Sequence, residues 1–153
     1  MKKLFSVILL TLALGLGVTL VSCGDDKDEP TPDTHNLESV YENETDTHFM
    51  FDIDVEKKTG SIYIYNVVFT IGERVSPAMN IRIDAPCTID KSGKVFILFG
   101  TDIIPFMLRG NTPVPVESMP ITNLTCNVDT KKKTYDIYFN CHGGEYKNAG
   151  KLQ

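Results

Sequence analysis

The chain lacks most of the motifs that identify an enzyme or a metalloprotein. Its 153 residues include no tryptophan, three histidines and four cysteines. The cysteines form no Cys-x-x-Cys pair and there is no His-Glu-x-x-His motif, which argues against a zinc site. A Gly-x-Ser-x-Gly elbow and a phosphate-binding glycine loop are also missing. The sequence therefore predicts no catalytic residue, no metal and no cofactor, and it favours a non-enzymatic protein.

Basic residues are outnumbered by acidic ones, and we identify no Lys/Arg cluster in the acidic body. Fifteen lysines and arginines stand against twenty acidic residues, which gives a formal net charge of -5. Because nucleic-acid binding depends on neutralising phosphates, a nucleic-acid partner is not expected. The same reasoning disfavours electrostatic binding to anionic lipid.

The first 23 residues have the organisation of an export signal. Lys2 and Lys3 precede an apolar run from Leu4 to Leu20, which ends in Leu20, Val21, Ser22 and Cys23. This tetrapeptide resembles the lipobox of bacterial lipoproteins, and the resemblance implies a signal peptide over 1–22 and a lipid anchor on Cys23. The alternative is an uncleaved transmembrane helix over 4–21, whose length of about 27 Å is close to the hydrocarbon thickness.

An acidic stretch with two prolines follows the cysteine. Residues 23–36 carry too much charge to form a core, so we expect a flexible linker. The acidic run resembles the export tag of surface lipoproteins in Bacteroidetes-type bacteria, which implies an outer-membrane protein exposed at the cell surface. A generic spacer on a periplasm-facing lipoprotein is the alternative. Residues 37–153 remain for a single domain.

Beyond residue 47, apolar residues recur with period two, which is typical of strands. Seven to nine short strands with polar turns predict an all-β fold, a small antiparallel meander barrel, with a β-sandwich as the alternative. Gly60 is expected to supply a left-handed residue in a hairpin loop. Pro113, Pro115 and Pro120 indicate an edge or an irregular loop. Asn36–Glu44 is the one candidate helix.

The whole pattern is similar to that of a known group of proteins. A lipobox, an acidic linker and meandering strands resemble the small Bacteroidetes-type surface lipoproteins with calycin-like (lipocalin-like) barrels. The chain also ends as such proteins do, with the segments Tyr135-Asp136-Ile137-Tyr138-Phe139, Gly143-Gly144-Glu145-Tyr146 and Gly150-Lys151. The resemblance implies a fold and a location, and it implies no activity.

Cys87, Cys126 and Cys141 remain in a compartment where disulfides persist. If Val128 lies opposite Tyr135, Cys126 faces Ile137 and Cys141 faces Thr122. The offset between Cys126 and Cys141 is then about 13 Å, whereas a disulfide requires Cα atoms within about 7 Å. We therefore expect three buried thiols, with a bridge from Cys87 to one of the others as the alternative.

Five aromatic residues are candidates for a ligand or partner surface. Tyr63 and Tyr65 share one strand face and would suit stacking on a sugar or anchoring a partner, with core packing as the alternative. The five consecutive apolar residues Val95–Phe99 cannot alternate in a half-buried sheet. Phe96, Phe99 and, in the next apolar segment, Phe106 therefore belong either to buried structure or to a cavity or interface.

Acidic residues follow the polar face of the first strand, where His48 precedes Asp52, Asp54 and Glu56. Carboxylates two residues apart are separated by about 7 Å, which would suit calcium or a glycosidase pair, although a solvated face gives the same pattern.

The leading hypothesis is a membrane-anchored surface lipoprotein that binds a small ligand (lipid or glycan) or a partner protein. The alternatives are an accessory subunit of an envelope assembly, docking through residues 95–108, and a glycan hydrolase using Asp52 or Asp54.

Overall fold

A computed structural model describes residues 34–110 and 112–153. The predicted signal peptide, the lipobox, Cys23 and most of the linker lie outside the described residues. Within those ranges no helix is long and apolar enough to cross a membrane. The described residues form strands β1 (Thr34–Glu38), β2 (His48–Asp54), β3 (Thr59–Val67), β4 (Thr70–Ile71), β5 (Arg74–Val75), β6 (Met79–Ile89), β7 (Val95–Gly100), β8 (Phe106–Arg109), β9 (Thr112–Pro115), β10 (Ile121–Asp129), β11 (Thr134–Cys141) and β12 (Gly144–Lys151).

The main antiparallel sheet runs in the order β1-β2-β3-β6-β7-β10-β11-β12 and curls into a half-barrel. Ser39 and Leu152, the residues that follow its first and last strands, form an isolated antiparallel bridge. The Val40 N–H donates to the Lys151 carbonyl at 2.8 Å, and the Gln153 N–H donates to the Glu38 carbonyl at 2.9 Å. The predicted all-β, barrel-like fold is confirmed.

One face of each long strand points into a filled interior. Because side chains alternate across a strand, the apolar residues of the period-two pattern come together inside. Among the largest fully buried side chains are Phe49, Phe51, Phe96 and Phe139. The Tyr135 ring lies 4.9 Å from Phe49 and 5.3 Å from Phe51, measured between ring centroids. Packed aromatic and aliphatic side chains therefore occupy the centre of the barrel.

Strand β6 connects the two parts of the sheet. Its last residues pair with β7, whereas Ile81 and Arg82 pair with β8. Strand β9 pairs with β8 alone among the described strands and contains Pro113 and Pro115. The prediction that these prolines mark an edge is confirmed, since proline cannot donate a ladder hydrogen bond.

The candidate helix over Asn36–Glu44 is wrong. Residues 34–38 form β1, which pairs with β2 from Thr34↔Asp54 onward, so the sheet begins three residues before the boundary placed at 37. Leu37 packs against the core, whereas Val40 is 57% exposed. The helix is predicted because the spacing of Leu37, Val40 and Tyr41 would place them on one helical face, but Leu37 and Val40 lie in different environments.

The role predicted for Gly60 is also wrong. The left-handed residue of the β2–β3 turn is Lys58, with φ of 56°. Gly60 is buried instead, and a Cβ added there would lie 2.6 Å from Leu98 Cδ2. Glycine is needed at this position because Leu98 fills the space in front of it.

The β2–β3 and β10–β11 hairpins share one turn design. Asp54 accepts a hydrogen bond from the Lys57 N–H, and Asp129 accepts bonds from the N–H groups of Lys131 and Lys132. The last turn residues, Lys58 and Lys133, have φ of 56° and 53°. One further strand flanks each side of each hairpin, so β1-β2-β3-β6 and β7-β10-β11-β12 are two halves of similar layout.

Candidate functional site

Large side chains form a continuous row on the outer surface of the first half. Register places Glu38 beside Met50, Met50 beside Tyr63, Tyr63 beside Arg82, and Arg82 beside Phe106, across β1, β2, β3, β6 and β8. Each lies one position from an inward-facing residue, so each points outward. This row and a neighbouring ring stack make up a surface that we call the aromatic face. It consists of Glu38, Tyr41, His48, Met50, Tyr63, Tyr65, Arg82 and Phe106.

Three rings stack at one end of the aromatic face. The Tyr41 and His48 rings are 4.3 Å apart at 24°, and the His48 and Tyr65 rings are 4.7 Å apart at 15°. The His48 Nδ1 atom lies 3.0 Å from the Asp46 carbonyl oxygen. Because a carbonyl only accepts, Nδ1 carries the hydrogen of this bond. The stack thus holds the imidazole in one orientation.

A cation lies over an aromatic ring at the other end of the face. The Arg82 guanidinium carbon is 4.6 Å from the centroid of the Phe106 ring. The Arg82 Nε atom is also 3.0 Å from Asp84 Oδ1. A guanidinium held between a ring and a carboxylate is a favourable arrangement for a surface arginine.

The tyrosines of the stack stay protonated at neutral pH. The charge of Glu38, followed by partial burial and a hydrogen bond to Glu38, raises the pKa of Tyr41. Burial is the main cause that raises the pKa of Tyr65. Both hydroxyl groups therefore keep their hydrogen, and the Tyr41 hydroxyl donates it to Glu38.

The five candidate aromatic residues do not form one site. Tyr63, Tyr65 and Phe106 lie on the aromatic face. Phe96 is only 1% exposed and packs inside, 4.5 Å from the His35 ring. Phe99 is 43% exposed on the outer side of β7, opposite Thr125. The expectation that residues 95–99 cannot alternate is wrong, because Phe96 and Leu98 point inward whereas Val95, Ile97 and Phe99 point outward.

Sequence reasoning did not identify the remaining members of the aromatic face. His48, Met50 and Arg82 occur at outward positions of alternating segments, which was a visible signal. Their neighbours on other strands were not visible, because the β3–β6 and β6–β8 pairings join segments that are distant in sequence. Tyr41 lies in the loop after β1, where the sequence predicted a helix instead.

Asp52, Asp54 and Asp84 line a shallow outer depression of about 670 Å³. The Lys57 Nζ atom binds Asp54 at 2.6 Å, and this bond lowers the pKa of Asp54. A glycosidase acid needs a raised pKa instead, so the depression does not supply one at Asp54. Within the described residues, no group of three or more His, Cys, Asp or Glu side chains is placed to hold a metal ion.

Cys87, Cys126 and Cys141 are buried free thiols, as predicted. Cys126 lies opposite Ile137, also as predicted, but Cys141 lies opposite Ile121 rather than Thr122. A bulge around Asn123, whose φ is 53°, shifts the register by one residue. Burial raises the pKa of all three thiols, so none is an activated nucleophile.

Comparison of the chain with protein-family models, curated proteins and solved structures finds no match. The resemblance to calycin-like lipoproteins therefore stays a prediction. Lipidation of Cys23 stays one as well, since that residue lies outside the described ranges.

Proposed function

We propose that the protein is a non-enzymatic lipoprotein, anchored through Cys23 in the outer membrane and exposed at the cell surface, which binds a partner protein through the aromatic face. The lipobox at residues 20–23 and the acidic residues behind it support the anchor and the location. The observation that carries the binding role is the row of large outward side chains across five strands.

The composition and shape of the aromatic face favour a protein over a small ligand. Tyrosine, phenylalanine, methionine and arginine are enriched in protein–protein interfaces, and tyrosine and arginine often dominate their energetics. Small-molecule sites are concave, whereas the outside of a half-barrel is convex and its interior is filled. Four strand spacings give the row a length of about 19 Å, which suits the centre of a protein interface. The same face would serve an accessory subunit of an envelope assembly.

The anchor is tested by labelling cells that make the protein with radioactive palmitate. We expect label on the wild-type protein and none on the Cys23→Ser variant, which should also leave the membrane fraction. Label that persists in the variant, or a wild-type protein without label, would overturn the anchor.

The binding role is tested by placing a photoreactive amino acid at single positions in the same cells. Replacing Tyr63 should give a discrete adduct with one envelope protein. Tyr138 is the matched control, because it occupies the same outward position in the second hairpin, opposite Thr125. Adducts of equal yield from both positions, or none from position 63, would contradict the proposal.

A further inference from the structure

Three turns bring most of the lysines of the described residues to one end of the barrel. These turns, at residues 54–58, 90–94 and 129–133, join β2 to β3, β6 to β7 and β10 to β11. They hold four acidic residues and seven lysines, although the whole chain has a net charge of -5. We call this surface the basic rim, and its lysines are Lys57, Lys58, Lys91, Lys94, Lys131, Lys132 and Lys133.

The three turns are adjacent in space. The Lys58 carbonyl accepts a hydrogen bond from the Cys87 N–H at 2.8 Å, which joins the first turn to the end of β6. The Lys94 carbonyl accepts bonds from the Thr130 N–H at 2.9 Å and the Thr130 hydroxyl at 3.0 Å, which joins the second turn to the third. The lysines therefore belong to one surface.

The acidic residues of the rim are mostly bound within their own turns. Asp54, Asp90 and Asp129 each accept hydrogen bonds from backbone N–H groups of the turn that they close. Two lysines form ion pairs, Lys57 with Asp54 and Lys132 with Asp129. The other five have no ion pair within the described part of the chain. The rim therefore keeps a net charge of +3, and these five lysines can meet an external anion.

Apolar surface lies between the charged turns. A pocket of about 320 Å³ opens between the first turn and the end of β6, and Val55, Cys87, Ile89 and Phe96 contribute its apolar lining. Ile89 is 40% exposed. Lysines around exposed aliphatic groups are typical of surfaces that enter the interfacial region of a membrane.

The chain also enters the barrel at this rim. Thr34, the first described residue, pairs with Asp54 at the edge of the first turn. Ten residues separate Cys23 from Thr34, and a fully extended segment of that length spans at most about 35 Å. If Cys23 carries the anchor, as proposed above, the basic rim is therefore the end of the barrel that the tether joins.

We propose that the basic rim binds the anionic headgroups of the membrane that holds the anchor, with Ile89 and Val55 reaching the interfacial region. The three turns of the basic rim would then face the membrane. Each lysine near an anionic surface contributes roughly fivefold to the binding equilibrium. The sequence-based expectation of no electrostatic lipid binding overlooked this surface, because its lysines come from three distant segments.

Single tryptophans provide the test, because the natural chain contains none. The Ile89→Trp protein is isolated from cell membranes and reconstituted in phosphatidylcholine vesicles, with or without one third phosphatidylglycerol. We expect a blue-shifted emission only with phosphatidylglycerol, reversed by salt of about 1 M, where the Debye length is roughly 3 Å. Val75→Trp is the matched control, since Val75 is a 66% exposed aliphatic residue in the β4–β5 hairpin, which follows β3 at the opposite end.

Charge-reversal variants then distinguish an effect of the basic rim from an effect of the protein's net charge. Lys91→Glu with Lys131→Glu should lower the docking equilibrium of the Ile89→Trp protein by at least roughly 25-fold. Arg74→Glu with Arg109→Glu, at the opposite end, changes the net charge equally and should have little effect. Equal losses in both pairs, no loss in the lysine pair, or the same emission in both vesicle types would overturn the proposal. A docking equilibrium that the two lysine substitutions leave unchanged is also the result expected if acidic residues 25–33, rather than lipid headgroups, bind the rim.

The anchor at Cys23 and membrane binding by the basic rim can be overturned independently of each other. If palmitate labelling shows no anchor at Cys23, the isolated protein is added to preformed vesicles of the same two compositions. Blue-shifted Ile89→Trp emission with phosphatidylglycerol would still support the rim as a membrane-binding surface, and its absence would overturn it.

Discussion

The β2–β3 and β10–β11 hairpins have the same turn and the same inward pattern but different outer surfaces. Met50 and Tyr63 of the first correspond to Thr125 and Tyr138 of the second, because both pairs lie at the same distance from the turn. Two residues further from the turn, on the same outer face, His48 and Tyr65 correspond to Thr122 and Asn140, with the β10 bulge between. The tyrosines at 63 and 138 are alike, but Met50, His48 and Tyr65 are replaced by Thr125, Thr122 and Asn140. Since a similar layout folds with small polar groups at these three outer positions, the large side chains of the first hairpin are not required by the fold. This difference is what singles out the aromatic face.

The inner surfaces also differ, but in a complementary way. Gly60 of the first hairpin corresponds to Tyr135 of the second. Leu98 fills the space in front of Gly60, and Tyr135 fills the space between Phe49 and Phe51 and covers Gly150. Small and large residues at matched positions thus pack together in one interior.

Truncation of Tyr135 should give the largest effect. Tyr135→Ala removes a ring that contacts two buried phenylalanines and a hydroxyl that donates to Asn148 Oδ1 at 2.9 Å. We expect a loss of about 3–5 kcal/mol in the free energy of unfolding, measured by urea denaturation. Tyr138→Ala, on the outer side of the same strand, should cost less than about 1 kcal/mol. Equal losses would mean that the inner and outer faces are wrongly assigned.

Enlarging Gly60 should cost less, about 1–3 kcal/mol, because the interior has to adjust to one added methyl group. Gly60→Ala places its Cβ against Leu98 Cδ2 and the Asp52 carbonyl. The double variant with Leu98→Val removes the closest atom and should recover part of the loss. A Gly60→Ala protein as stable as the wild type would show that this position is not closely packed.

The matched turns should respond alike to loss of their carboxylates. Hydrogen bonds from Lys57 lower the pKa of Asp54, and hydrogen bonds from Lys132 lower the pKa of Asp129. A lowered folded-state pKa stabilises the protein above the unfolded value of about 3.9, and this contribution is lost as the pH falls through the folded value. Asp54→Asn and Asp129→Asn should therefore lower the Tm at neutral pH by similar amounts, and the difference from wild type should vanish in acid. A Tm loss in only one of the two variants would contradict the equivalence of the turns. A loss that persists in acid would contradict the role of the ionised carboxylates.

The outer surfaces should show the smallest effects on stability. Tyr65→Ala removes one ring from the stack with His48 and Tyr41, which should cost about 0.5–1.5 kcal/mol. Asn140→Ala, at the matched position, should change the free energy of unfolding by less than about 0.5 kcal/mol. Denaturation of both variants measures the contrast. A larger loss in the free energy of unfolding for Asn140→Ala than for Tyr65→Ala would contradict the stabilising role of the ring stack.

Sequence reasoning found the features that depend on local pattern. Period-two alternation identified the strands, and the turn at Asp129 set the pairing of Cys126 with Ile137 correctly. It failed where a single residue left the regular geometry, as at Asn123, whose left-handed conformation shifts Cys141 to Ile121. It failed again in the Asn36–Glu44 segment, where pairing with β2 overrode a weak helical spacing.

The candidate site was only partly accessible from the sequence, because it is made by pairings between distant strands. Tyr63 and Tyr65 could be identified because they share one face of a single strand. Arg82 and Phe106 join them only because β6 pairs with β3 on one side and with β8 on the other. The lysines of the basic rim were missed for the same reason.

Binding through the aromatic face is tested most directly by giving the first hairpin the outer residues of the second. His48→Thr, Met50→Thr and Tyr65→Asn are combined with the photoreactive amino acid at position 63, and crosslinking is measured in cells. We predict that the exchanged protein folds, as judged by its circular dichroism and cooperative melting, and that the adduct with the envelope partner is lost. An undiminished adduct on the exchanged face would contradict binding through these side chains.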